Sequence, residues 1–138
     1  MRVIARVSAV TLFVFAAAAC TDRLPDQDLR ILQTPPVERL SAALLWQDFQ
    51  TVPDQAGRNY NGKAIVVTGD VTRAGTEETG DTYVYFAQTD AAGVYAALLA
   101  EQAATILAGV QENPRVRLKC FCEGFSTNVV LKSCVAEP

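Results

Sequence analysis

Tyr60-Asn61-Gly62-Lys63-Ala64-Ile65-Val66-Val67-Thr68-Gly69-Asp70-Val71 is the stretch on which the fold turns. Its Asn-Gly pair is a turn signal, because both residues tolerate positive φ, and it releases the chain into a strand. Ile65, Val66, Val67 and Thr68 are β-branched, and their stiff χ1 suits a pleated surface. Ile65, Val67 and Val71 share one face at period two and mark the core side. Gly69 interrupts the run, and a glycine inside a strand signals a bulge or a sharp bend. A strand bent there can curl around a small closed barrel.

Downstream, Ala74 to Asp81 is rich in turn formers and reads as a loop. Its carboxylates Glu77, Glu78 and Asp81 lack the spaced ligand pattern of a calcium loop. Thr82 to Gln88 reads as the second strand, with Val84 and Phe86 on one face and Tyr83 and Tyr85 on the other. The opposite assignment would bury two hydroxyls in need of partners, so the tyrosines are expected outside. Gly93 to Leu99 is a third strand containing Tyr95, and Glu101 to Val110 is a compact helix. Pro114 to Cys122 and Val129 to Val135 are the last two strands, turning near Ser126 to Asn128. Upstream, Leu40, Leu44, Leu45 and Phe49 recur at helical steps and predict a helix over Val37 to Gln50, with Trp46 in its buried stripe. Pro53 ends or kinks it. Helix, three strands, helix, two strands is the order of a mainly β chain with flanking helices, an OB-fold five-stranded barrel carrying an added N-terminal helix.

The first 19 residues are of another kind. Arg2 and Arg6 begin a short positive segment, Val7 to Ala19 is uncharged and apolar, and small residues lead into Cys20. Thirteen residues are too few to span a bilayer comfortably as a helix, so this is an export signal. Ala17-Ala18-Ala19-Cys20 resembles the lipobox of bacterial lipoproteins, with Ala17 where leucine is usual; Ala17-x-Ala19 also fits an ordinary signal-peptidase site. The lipobox resemblance implies that Cys20 is acylated, and Thr21 after it implies the outer membrane, facing the periplasm. Residues 20–36, polar and broken by Pro25, Pro35 and Pro36, read as a flexible tether, and 37–138 as the domain. Without Arg2 and Arg6, 10 of the 12 basic residues face 15 acidic ones, a net charge near −5. Such an acidic exported domain lacks the basic footprint of a nucleic-acid binder.

Leu45 through Lys63 with its Tyr-Asn-Gly-Lys ending, the Val67 to Val71 spacing, and Cys122-Glu-Gly-Phe followed by Leu131-Lys-Ser-Cys134 resemble the tRNA_anti-like group of OB-fold proteins. Members are small bacterial proteins, commonly exported or lipid-anchored. Pro53 interrupts a helix that usually runs on in the group, and Cys120 adds a third cysteine. The expected disulfide joins Cys122 to Cys134 across the final hairpin, with Cys120 a buried thiol. A turn centred near Thr127 would instead set Cys120 opposite Cys134.

The chain has no histidine, which excludes Ser-His-Asp, Cys-His and histidine metal chemistry. Three cysteines lack a convincing fourth zinc ligand, no glycine-rich phosphate loop occurs, and carboxylates are scattered without an evident pair. No cofactor and no metal is therefore expected, and an enzyme is the weakest of three readings. The first is a lipid-anchored binding or adaptor module of the cell envelope, the second a structural subunit or protein partner. OB barrels use the outer face of their second and third strands, which here carries Tyr83, Tyr85 and Tyr95, rings able to stack on a saccharide-like ligand or an envelope protein. Arg115, Arg117, Lys119 and Lys132 form a second outward row, read either as an anion site or as a charged edge that deters strand-to-strand aggregation.

Overall fold

The computed structural model describes residues 27–138, so the export signal, Cys20 and the tether as far as residue 26 lie outside the described residues. Seven strands form one sheet: β1 (Glu38–Ser41), β2 (Ala64–Asp70), β3 (Arg73–Thr76), β4 (Thr82–Ala87), β5 (Gly93–Leu98), β6 (Arg115–Phe125) and β7 (Val129–Ala136). Three helices accompany them: α1 (Ala42–Thr51), α2 (Pro53–Tyr60) and α3 (Ala100–Glu112). The strand order is β1-β2-β6-β7-β5-β4-β3. Seven strands replace the expected five for two reasons. β3 is an added strand: past a break at Val71-Thr72 the chain leaves β6, the partner of β2, and pairs instead with β4. β1 is added alongside β2, in parallel.

Gly69 sits just before that break, and its need is steric: a Cβ there would lie 2.9 Å from Phe86 Cδ1 and 3.1 Å from the Ala42 methyl. Ala74 to Thr76, expected as loop, is the greater part of strand β3, because β4 offers Arg73–Thr76 a ladder from Tyr85 to Thr82. The turn proper shrinks to Glu77–Asp81, closed by the Glu77 N–H donating to Asp81 O at 2.8 Å.

The helix expected over Val37 to Gln50 begins only at Ala42. Ser41 Oγ caps it by accepting from Leu44 N–H at 3.0 Å. Before it the backbone has a better partner in β2, which Val37 N–H already joins by donating to Ala64 O at 2.9 Å. Pro53 ends α1 and opens α2 at its first turn, where a missing N–H costs nothing. The main core takes Leu45 and Phe49 from α1, Tyr60 from α2, Ile106 from α3, and Ile65, Val67, Val84, Phe86, Leu118 and Leu131 from the strands. Trp46 is half-buried at its margin.

A second, smaller core lies on the opposite side of β2 and β6: Ile31, Ala64, Leu99, Phe121 and Val135. It corrects the tether's extent. Residues 27–36 do not hang free, because Leu29–Leu32 forms a 3₁₀ turn that drives Ile31 to zero exposure. Gln27 Oε1 accepts from Ala100 N–H at 2.8 Å, satisfying an orphan donor of α3, and Asp28 N–H donates to Ser133 Oγ at 2.8 Å.

The disulfide joins Cys120 to Cys134, Cα atoms 4.3 Å apart, and not Cys122 to Cys134. The register explains this. Leu118 faces Ala136 and Lys119 faces Val135, so Cys120 comes opposite Cys134. Ser133, at φ 54°, is then an extra residue that shifts the ladder, and Cys122 lands opposite Leu131. Cys122 is a buried free thiol, its ionisation pushed up to about 11 chiefly by burial. Its Sγ–H points at Asn61 Oδ1, 3.9 Å away.

Candidate functional site: the tyrosine face of β4 and β5

Alternation along β4 sends Val84 and Phe86 into the core and Tyr83 and Tyr85 to the other side. The β4–β5 ladder sets Tyr85 opposite Tyr95 and Tyr83 opposite Ala97, so the three rings lie on one surface. They do not have equal standing there. Tyr83 and Tyr95 are half-exposed and stacked, ring centroids 5.0 Å apart and planes 20° from parallel. Tyr83 extends over Gly75, where any side chain would meet its hydroxyl.

Tyr85, expected in the exposed row, is buried. The Arg73 guanidinium on β3 lies 4.7 Å from its ring centroid, and its hydroxyl donates to Asn128 Oδ1 at 3.1 Å. Asn128 also accepts from Gly93 N–H at 2.9 Å, tying the β6–β7 turn to the start of β5. Tyr85 is thus a positioning residue beneath the face.

Beside Tyr95 is a cleft of about 120 Å³. Gln27, Asp81, Glu123 and Lys132 bring polar groups to it, and Ala97 and Val130 line its apolar part. Lys132 Nζ is 3.0 Å from Glu123 Oε1, an ion pair that orders this rim. Burial, then the nearby Glu77 and Asp81 carboxylates, push the Tyr95 phenol up to about 12, and its O–H donates to Glu77 Oε1 at 3.5 Å. Tyr95 therefore stays a neutral donor throughout the physiological range. A cleft this small holds one substituent, whereas the stacked rings offer an open apolar surface. Together they can seat part of an extended ligand by stacking, with carboxylate, amide and ammonium groups to pair with its hydroxyls.

Sequence reasoning missed Gln27, Asp81, Glu123 and Lys132 as neighbours of Tyr95. They come from four separate segments, and no local pattern unites them. Among the described residues, no three His, Cys, Asp or Glu side chains are grouped to hold a metal ion. The second outward row divides: Lys132 belongs to the tyrosine cleft, while Arg115, Arg117 and Lys119 lie on β6. β6 lies between β2 and β7, so these residues guard no free strand edge.

The family model of tRNA_anti-like proteins matches residues 2–135. A crystal structure of a lipoprotein from Klebsiella pneumoniae subsp. pneumoniae MGH 78578, whose description as nucleic acid-binding is itself provisional, is similar at 19% identity. That likeness covers 80% of this chain and 98% of the other, with a TM-score of 0.55. No curated protein matches the chain.

Proposed function

The chain belongs to the tRNA_anti-like family, and from that premise we propose that it is a lipid-anchored binding module of the cell envelope. In this reading β2 and β3 are two halves of one bent strand, which with β4, β5, β6 and β7 makes the five-stranded OB barrel, β1 being an accessory. The single observation that carries the reading is the stacked, half-exposed Tyr83–Tyr95 pair beside a polar cleft on β4 and β5. Catalysis has no comparable support in the residues present. The proposed ligand of this face is saccharide-like, since it meets aromatic rings and a rim containing both signs of charge. Acylated Cys20 would hold the domain at the membrane, on the periplasmic side of the outer membrane. Nucleic acid is not proposed for this face: the rim acids Asp81 and Glu123 outnumber Lys132.

Capture from solubilised envelope tests the reading. Immobilised full-length chain should retain a component that the Tyr95→Ala chain loses, with unchanged melting temperature. Equal retention by both would remove the tyrosine face from the account. The protein-partner reading has its own observation. Leu44, Val52 and Phe125 are exposed, and Phe125 packs edge-on against Trp46 at 5.7 Å and stacks on Phe49 at 6.4 Å. A protein retained equally by wild type and Tyr95→Ala but lost from Phe125→Ser would assign the interaction to the exposed Phe125.

A further inference from the structure

The outer side of β1, β2 and β6 carries a charge pattern that composition conceals. Arg39 stands beside Val66, with Lys119 beyond it; in the next row Ser41, Thr68 and Arg117 align, and then Asp70 and Arg115. Arg39, Arg115 and Arg117 line a groove of about 480 Å³ floored by Val66. The 3₁₀ strap lies on the same side, its Arg30 guanidinium 5.9 Å from the Phe121 ring centroid. Of the nine described Lys and Arg side chains, five are therefore here, against three of the thirteen described Asp and Glu side chains: Asp28, Asp70 and Glu137, which pair with Arg30, Arg115 and Arg39 at 2.6, 3.4 and 3.0 Å. The remainder of the described domain has four cations against ten carboxylates. On an otherwise acidic domain this face thus keeps a net excess of two positive charges.

Two further observations bear on what covers it. With Ile31 buried, Leu29 and Leu32 remain 49% and 47% exposed, three residues apart in a 3₁₀ turn and so eclipsed on one flank of the strap. And Gln27, where the strap begins, is seven residues from Cys20, at most about 25 Å of extended chain. We propose that the outer face of β1, β2 and β6, with the strap, docks on an anionic phospholipid surface. The cations meet headgroup phosphates, and the two leucines enter the acyl boundary. The choice of a bilayer as occupant rests on the proposed anchor at Cys20; the charge and the leucines do not. Docking would fix the orientation of the anchored domain, since a short anchor and a surface contact together leave little freedom to tumble.

The test uses full-length chain reconstituted into vesicles and an internal control. Retention on vesicles of phosphatidylcholine alone reports the anchor. Acetylation of Lys119 relative to Lys63, which lies outside the face, reports docking. On vesicles rich in phosphatidylglycerol the Lys119 to Lys63 ratio should fall about fivefold, the equivalent of about 1 kcal/mol per basic residue near an anionic surface. High salt and the Arg39→Glu, Arg117→Glu pair should both restore it. Leu29→Asn with Leu32→Asn, both solvent-facing, should restore it in part and serves if charge reversal impairs folding. A ratio equal on the two vesicle compositions overturns the proposal. So does a fall produced by a single-stranded oligonucleotide in detergent but not by phosphatidylglycerol, which assigns the face to nucleic acid. Loss of retention on phosphatidylcholine alone refutes the anchor, while the ratio on phosphatidylglycerol vesicles still decides the face.

Discussion

Ile31→Ala is the sharpest probe of where the domain begins. Ile31 is fully buried, yet it sits in a five-residue satellite core and on a strap with few other attachments. Truncating a buried isoleucine costs roughly 2 to 5 kcal/mol, the upper end belonging to sites that cannot relax. This site can relax by letting the strap lift. The loss is therefore bounded by what holds the strap: the Ile31 burial, the two Gln27 hydrogen bonds at 2.8 and 3.3 Å and the Asp28 N–H to Ser133 bond at 2.8 Å. With hydrogen bonds netting about 1 kcal/mol each, we expect a loss of about 2 to 3 kcal/mol. For a domain of this size that lowers the melting temperature by roughly 10 °C. Thermal melts and limited proteolysis of the full chain measure it, and new cleavage should appear near Gln33 to Val37. A variant that melts and resists protease like the wild type would show that the strap is not part of the folded unit and that the tether runs to residue 36.

Non-reduced peptide mapping should recover Cys120 linked to Cys134 with Cys122 free, and Cys134→Ala should cost about 3 kcal/mol, the chain-entropy value for a loop of this length. The Cys122 thiol has its folded pKa raised from 9.0 to about 11, so its contribution is complete below pH 9 and lost as pH rises towards 11. Unfolding free energy should fall by about 1 kcal/mol between pH 9 and 10, and Cys122→Ala should flatten that slope in denaturant titrations. Gly124→Ala should destabilise by roughly 1 to 3 kcal/mol, because φ there is +110° and the new methyl would sit 3.0 Å from Asn61 Oδ1; a neutral result would show that this irregular stretch of β6 relaxes freely.

Local signals in the chain were legible where period and packing agree. Ile65 and Val67 facing the core, Val84 and Phe86 inward with the tyrosines opposite, and a glycine at the bend all follow from alternation and sterics that a strand states about itself. What failed depended on partners distant in the chain. Leu40 fits a helical stripe and a strand equally well, and only β2 alongside it decides for strand. Ala74 to Thr76 looks like a loop until β4 supplies a ladder. The disulfide depended on one bulged residue, Ser133, whose positive φ nothing in Lys-Ser-Cys announces. At the site, the outward tyrosines were readable, but the burial of Tyr85 under Arg73 and the gathering of Gln27, Asp81, Glu123 and Lys132 around Tyr95 are products of closure.

Selective isotope labelling of tyrosine rings in the full-length chain, titrated with soluble peptidoglycan fragments as a saccharide-bearing envelope probe, asks the central question most directly. Tyr83 and Tyr95 resonances should move together and saturably, while Tyr85, shielded by Arg73, and Tyr60, whose hydroxyl donates to Asp48 Oδ2 at 2.7 Å, stay fixed. Rings of Tyr83 and Tyr95 that stay fixed throughout, or that shift no more than Tyr60 and Tyr85, would contradict a saccharide-binding tyrosine face.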